Sequence, residues 1–283
     1  MYIGRFAPAP SGPLHFGSII AATGSYLQAR SRRGKWLLRI EDLDIRRNQP
    51  GALDNILYTL DQLDLHWDGP VMTQSQRIDV YEEILELLAC RGLIYPCSCT
   101  RNEINGRPYP GTCRYGVTRT KRPQALRIRT NTEPVGFQDK IQGNFQQQLE
   151  QDIGDFVLRR SDGLIAYHLA VVVDDAIQGI TEVVHGADLL DSTPRQIYLQ
   201  DLLDYTTPEY MHLPVAHNKQ GRKISKQNHA PGIDPRQGSA ILFKVLQFLG
   251  QKPDPALATT GTNEIIDWGI DHWQLSAVPP QRS

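Results

Sequence analysis

Two groups of residues in this chain of 283 have the types and spacing for chemistry on phosphate. His15-Phe16-Gly17-Ser18 stands where an apolar stretch, Tyr2 to Ala7, has broken into Pro8, Pro10, Gly12 and Pro13 and a helical pattern begins. Backbone N–H groups at a helix start attract anions, and a glycine lets a ligand approach the main chain. A histidine there can donate to a phosphate as charge develops on it. Roughly two hundred residues later, Lys223-Ile224-Ser225-Lys226 lies between Gly221 and Gln227-Asn228. Two lysines three apart on such a loop can follow a leaving pyrophosphate as mobile point charges. Taken singly, His15 reads better as a surface histidine and the lysines as a solvated basic loop.

A third group is Cys97, Cys99 and Cys113 in a loop-rich, polar stretch. Thiols stay reduced in the cytosol, where a chain with no secretory signal is expected, so metal binding is the better reading than disulfides. Zinc in a structural site takes four tetrahedral ligands, of which three thiolates would be supplied here. A reduced cluster without metal is the alternative. Cys90 falls inside a helical pattern and reads as a small packed apolar residue.

The elements that must position these groups follow from periodicity. Tyr2 to Ala7 reads as a buried strand, Ser18 to Arg30 as a helix, and Lys35 to Ile40 as a second strand ending in Glu41-Asp42-Leu43-Asp44. Strand, Gly-rich turn, helix and strand form the first unit of a doubly wound, Rossmann-type α/β fold with a parallel sheet. Ligands of such folds collect at the carboxyl ends of the strands, which puts loop 7–18 and Glu41 on one rim. Helices are predicted over 51–63, 79–91, 194–203 and 238–249, and a strand over 125–129. Asp155 to Arg160, the Ser161-Asp162-Gly163 turn and Ile165 to Val173 read as a hairpin. The predicted organisation is the first half of a core over 1–94, an insertion carrying the metal site over 95–150, the second half of the core over 151–230, and a short C-terminal helical appendage over 231–283.

With 30 basic and 31 acidic residues the net charge is −1, so any affinity for nucleic acid must come from local clusters. The candidates are Arg114, Arg119, Lys121, Arg122, Arg127 and Arg129, and separately Arg30, Arg32, Arg33 and Lys35. Each reads equally as a solvated face. No apolar run approaches the ~20 residues that span a bilayer, and a cytoplasmic location is expected.

The order, distance and context of the two phosphate motifs together resemble class I aminoacyl-tRNA synthetases: His15-Phe16-Gly17-Ser18 is similar to their first signature and Lys223-Ile224-Ser225-Lys226-Gln227 to their second. Arg5-Phe6-Ala7-Pro8-Ala9-Pro10-Ser11-Gly12 and Leu38-Arg39-Ile40-Glu41-Asp42-Leu43-Asp44 resemble the glutamate-specific branch. The resemblance spans about residues 2–230. It implies ATP-dependent formation of glutamyl-adenylate, with Mg2+ accompanying ATP. His15, Gly17, Lys223 and Lys226 would be catalytic. Arg5, Ala7, Ala9, Glu41, Tyr167 and His185 would bind L-glutamate, Arg5 through a carboxylate and Glu41 through the ammonium. Phe6 and Pro8 would join Arg5, Ala7, Ala9, His15, Gly17 and Lys226 around ATP.

Two positions depart from that branch. Ala9 stands where the family has serine, and His185 where relatives carry an arginine that binds the glutamate side-chain carboxylate. A histidine cannot make the same fork. A subgroup of the family has a Cys-x-Cys … Tyr-x-x-x-Cys arrangement, which Cys97, Cys99, Tyr109 and Cys113 match, and this resemblance supplies Tyr109 as the fourth zinc ligand.

Only 57 residues follow Lys226 (283 − 226), too few for the anticodon-binding domains of an ordinary glutamyl-tRNA synthetase. The short form and the cysteine–tyrosine cluster resemble the glutamyl-queuosine tRNA(Asp) synthetases. These activate glutamate without tRNA and transfer it to queuosine at the wobble position of tRNA(Asp); a monomer is expected. The alternatives are a truncated glutamyl-tRNA synthetase that charges the acceptor end and a degenerate regulatory paralogue.

Overall fold

The computed structural model describes residues 1–106, 108–117, 119–217 and 232–281. Lys223 and Lys226 lie outside them.

The chain opens with β1 (Ile3–Phe6), α1 (Phe16–Ser31) and β2 (Lys35–Ile40), followed by α2 (Ala52–Gln62), the short β3 (Met72–Thr73) and α3 (Ile78–Cys90). β1 and β3 flank β2, both parallel to it. Trp36, Leu38 and Ile40 on one face of β2 and Arg39 on the other are all buried, as expected of a parallel strand covered on both sides. α1 is buried nearly all round, from Ala22 to Ala29. Its small residues allow this: a Cβ on Gly24 would stand 2.5 Å from Leu213 Cδ1, so only glycine lets the helix lie this close.

Next come β4 (Ile94–Cys97), α4 (Arg101–Ile104), β5 (Ala125–Ile128), β6 (Val135–Asp139), β7 (Gly143–Gln147), α5 (Leu149–Asp152) and β8 (Val157–Arg159). β4, β5 and β8 form an antiparallel sheet in that order. α6 (Tyr167–Ile177), β9 (Glu182–Gly186), α7 (Thr193–Leu202) and β10 (Glu209–Leu213) complete the core. β10 lies parallel to both β9 and β6, and β7 closes the edge antiparallel to β6. β1 stands beside β9, where the Thr181 N–H donates to the Ile3 carbonyl at 2.9 Å. The spatial order is therefore β3-β2-β1-β9-β10-β6-β7, parallel except for its last strand.

Two pairings cross the predicted ends of the 95–150 segment. β6 and β7, inside it, join the core sheet, whereas β8, beyond it, joins the β4–β5 sheet. The predicted hairpin forms at its base, where Ile165 pairs antiparallel with Arg159, but its second arm turns into a helix from Tyr167 onward. Every residue of α6 from Leu169 to Asp175 is buried, so no polar face marks the helical period, and its valine run imitates a strand. The weakly patterned tail contains, after α8 (Gly238–Phe248), a second helix, α9 (Thr262–His272). Leu242, Val245, Ile265 and Ile266 share one core cluster with Trp36 and Leu38, so the C-terminal segment covers the sheet rather than hanging from it. Cys90 is exposed and does not pack as a core residue.

Candidate active site and metal centre

A cavity of about 440 Å³ opens at the carboxyl ends of β1, β2, β9 and β10. Every described residue expected to bind glutamate or ATP lines it: Arg5 to Ala9 from the end of β1, His15 and Gly17 at the start of α1, Glu41 after β2, Tyr167 and His185. Tyr167 arrives as the first residue of α6, not from a strand. The Glu41 N–H donates to the Pro8 carbonyl at 3.0 Å, which ties the two strand ends together.

His15 caps α1. Its Nδ1 accepts from the Ser18 N–H at 3.2 Å, which places the ring proton on Nε2, 3.3 Å from Ser18 Oγ. A histidine so fixed presents a donor, the form needed against a phosphate oxygen.

Beneath the cavity lies a lattice of buried charge. Arg5 grips Asp175 with Nε (3.0 Å) and Nη2 (3.1 Å), and Arg39 Nη1 reaches the same carboxylate at 2.7 Å. Arg39 Nη2 stands 3.6 Å from Glu41. The neighbouring Asp174 accepts from Gln74 (2.9 Å), Arg77 (2.7 Å) and Tyr81 (2.8 Å). Burial alone would raise the Asp175 carboxyl, but Arg39 and Arg5 outweigh it and hold it below the usual carboxylate range. Glu41 goes the other way: burial raises it more than Arg39 and Arg5 lower it. Sequence reasoning did not single out Asp174 and Asp175. The usable signal was two adjacent acids closing the apolar run Leu169 to Val173, since buried carboxylates require cationic partners.

His185 is buried, with Nε2 3.3 Å from Arg5 Nη2 and its ring centroid 5.7 Å from that of His212. Burial first, then Arg5, drives its pKa well below the ordinary value, so the ring is neutral and accepts from Arg5. Behind it His212 Nδ1 meets Asp139 Oδ2 at 2.6 Å, and His212 Nε2 meets Thr193 Oγ1 at 3.1 Å.

A second cavity, about 980 Å³, shares Ala9, Glu41, Arg47 and Tyr167 with the first and runs toward the β4–β5–β8 sheet. Three buried atoms on its lining residues, Ser98 Oγ, Arg127 Nε and His168 Nδ1, have no hydrogen-bond partner among the described residues. Burial lowers the His168 pKa to about 3, so the ring is neutral. Unsatisfied buried polar atoms are costly, and all three belong to residues of this cavity's wall.

At the far wall Cys97, Cys99 and Cys113 bring their Sγ atoms within 4.8 Å of one another. Cys99 and Cys113 Sγ are 3.7 Å apart, and Tyr109 Oη lies 3.2 Å from Cys97 Sγ and 3.7 Å from Cys99 Sγ. Tetrahedral ligands at Zn–S ~2.3 Å stand about 3.8 Å from each other, so the donor set fits a metal of that size. Burial is the main cause that pushes the Cys99 thiol up to about 11, and only a bound cation would make a thiolate favourable there. The Tyr109 loop is pinned by Gly154: its φ is +74°, and a Cβ there would lie 2.2 Å from the Tyr109 carbonyl oxygen. Arg127 stacks over the Tyr109 ring at 4.0 Å.

The first basic cluster is largely committed, the second at Arg30. Arg114 binds Asp155 and Glu150, Arg119 and Arg122 bind Glu103, and Arg129 covers the Tyr95 ring. In the other cluster Arg30 pairs with Asp68 at 2.7 Å. No described helix is long and apolar enough to cross a membrane.

The model of the class I tRNA synthetase (E and Q) catalytic domain matches residues 3–109 and 114–236. A glutamyl-Q tRNA(Asp) synthetase from Dechloromonas aromatica is 51% identical over 99% of this chain and 96% of its own length. One from Aromatoleum aromaticum is 48% identical, over 99% and 91%. The crystal structure of a glutamate tRNA ligase from Elizabethkingia meningosepticum, solved with its amino acid, superposes with a TM-score of 0.81 at 24% identity, over all of this chain and 67% of that one, which shows the shared fold. The chain is a ligase of the class I synthetase type and belongs, with these full-length relatives, to the glutamyl-Q tRNA(Asp) synthetase family.

Proposed function

We propose that this chain activates L-glutamate with ATP and transfers it to queuosine at the wobble position of tRNA(Asp). The observation that carries the reading is the pair of communicating cavities, which meet at Ala9, Glu41, Arg47 and Tyr167. The first has the donors for the adenylation step. The α-carboxylate of glutamate attacks the α-phosphorus of ATP, and the bond to pyrophosphate breaks. His15 Nε2–H and the N–H groups at the start of α1 face the charge that develops, Glu41 holds the ammonium, and Arg5 faces a carboxylate. Lys223 and Lys226, outside the described residues, would neutralise the leaving pyrophosphate. No protein nucleophile is required, so positioning and electrostatics do the catalysis.

The second cavity would receive the acceptor. A queuosine hydroxyl attacks the carbonyl carbon of the adenylate, AMP leaves with the bonding pair, and the hydroxyl proton passes to a phosphate oxygen of the departing AMP. A nucleoside splayed from a loop carries hydroxyls and base edges suited to a cavity walled by polar residues such as Ser98, Asp162 and His168. Cys97, Cys99, Tyr109 and Cys113 would hold one structural zinc, which supplies no chemistry to the reaction and fixes the wall of this cavity.

The test is transfer of labelled glutamate, with ATP, to tRNA(Asp) prepared with and without queuosine and to tRNA(Glu). Label only on the queuosine-containing tRNA supports the proposal. Label on tRNA(Glu) instead would replace it with acceptor-end charging.

A further inference from the structure

The C-terminal tail returns to the wall of the first cavity. Beyond α9, Trp273 Nε1 donates to Gln28 Oε1 on α1 at 2.7 Å, and Val278 is buried in the core cluster that holds Leu213 and Ala216. Gln281 then completes a chain of three hydrogen bonds. The Val215 N–H donates to Gln281 Oε1 at 2.6 Å, the Gln281 N–H donates to Gln142 Oε1 at 3.0 Å, and Gln142 Nε2 donates to the His212 carbonyl at 2.7 Å. Both ends of the chain sit on one stretch of backbone: His212 in the last turn of the β10 ladder and Val215 just past it. Gln142 is itself fixed, its N–H donating to Asp139 Oδ1 at 2.8 Å in the β6–β7 turn.

Leu213, Pro214, Val215 and Ala216 line the cavity, and the chain runs on from them toward Lys223 and Lys226. A strand that has left its sheet loses ladder partners for its N–H groups, and such a segment keeps one position only if other groups supply them. Here the supply comes from a side chain 66 residues away.

We propose that Gln281 is a positioning residue: with Gln142 it clasps the 213–216 wall, so that the C-terminal tail sets the affinity of the site for ATP without touching the reacting atoms. The identity of the nucleotide rests on the adenylation reading above; the clasp does not.

The test compares wild type with Gln281→Leu, nearly isosteric but without the acceptor, and with Gln142→Leu. Three readouts are taken: ATP–pyrophosphate exchange with KM for ATP and glutamate measured separately, binding of a non-hydrolysable ATP analogue, and deuterium uptake of peptides covering 211–217. The expected result is a KM for ATP and an analogue Kd raised about 3–10-fold, the range that one hydrogen bond spans. KM for glutamate and the melting temperature stay near wild type, uptake at 213–217 is faster, and the double variant is little worse than either single one. Unchanged analogue affinity, or unchanged uptake, overturns the proposal. So does a parallel rise of both KM values with a lower melting temperature, which would make the tail merely structural. A wild type that binds the analogue but catalyses no exchange, with weaker binding in Gln281→Leu, would refute the adenylation reading and leave the clasp standing.

Discussion

At the glutamate end of the cleft the polar side chains hang from strand ends and one helix and hold one another by charge; at the cysteine end they hang from the last residue of β4 and the loops beyond it, as neutral thiols and a phenol. Asp175 between Arg5 and Arg39 is complete before any ligand arrives. The three thiols and Tyr109 are gathered by the Gly154 contact and by Arg127, and burial holds the Cys99 thiol in its neutral form until a cation binds. One end is preorganised by the fold, and the other is organised for an ion. Preorganisation is what an adenylation site needs, since its catalysis consists of dipoles already aimed. A wall that shapes an acceptor cavity can instead depend on a metal, because a structural metal contributes folding energy directly.

The largest effect is expected from Asp175→Ala, which leaves two buried guanidiniums without their carboxylate. Breaking a buried pair costs about 3–5 kcal/mol, readable in urea denaturation, and pyrophosphate exchange should vanish with it. Stability within about 1 kcal/mol of wild type would mean that the lattice does not hold the site. Cys97→Ser is next. Metal analysis should show zinc falling from one per chain toward none, with transfer to tRNA damaged more than pyrophosphate exchange. Equal loss of both reactions would erase the distinction between the two ends.

His185→Arg sharpens the comparison within the glutamate end. It places a second guanidinium beside Arg5 without a new carboxylate, so the free enzyme should melt lower while glutamate, by supplying the carboxylate, binds more tightly. One charge-assisted contact corresponds to roughly a tenfold lower KM for glutamate; an unchanged or higher KM would show that the neutral His185 is no weakness. The smallest effect is acidification. Asp175 beside Arg39 and Arg5, and Asp155 beside Arg114, are both held below the ordinary carboxylate range. Their folded pKa values are depressed, so the stability they contribute is full above the ordinary Asp value near 4 and is lost as pH falls through the folded values. Melting curves should begin to decline as pH falls below the ordinary histidine value near 6.5, because His168 and His185 are held neutral in the fold, and should steepen below about 4, where Asp155→Asn should flatten the decline in part. A curve that stays flat down to about pH 5 would mean that the two buried histidines do not resist protonation.

Much of the first cavity was legible. Strand, Gly-rich loop, helix, strand is a local pattern, and the rule that ligands gather at the carboxyl ends of parallel strands carries His15, Gly17 and Glu41 to one rim, whereas Arg5 came from resemblance. The spacing of Cys97, Cys99 and Cys113 was legible for the same reason, since donors close in sequence have few ways to be far apart. Tyr167 and His185 came from resemblance, and the structure puts both at the cavity, Tyr167 on a helix that the valine run disguised as a strand. The pairing of the basic clusters was not legible, because the carboxylates that engage Arg114 and Arg30, namely Asp155, Glu150 and Asp68, lie 36–41 positions away in the chain.

The sequence by itself determined which residues begin the parallel fold, which of them stand at the strand ends, and which thiols can share an ion, because each of these depends on neighbours within a few turns of chain. Only the tertiary structure decided that Asp175 sits between Arg5 and Arg39, that three polar atoms around the second cavity lack partners, and that Gln281 reaches Val215. Those contacts span tens to hundreds of residues, and no local period or propensity encodes which distant group arrives. It is the packing of α6 and the C-terminal helices against the sheet that brings them together.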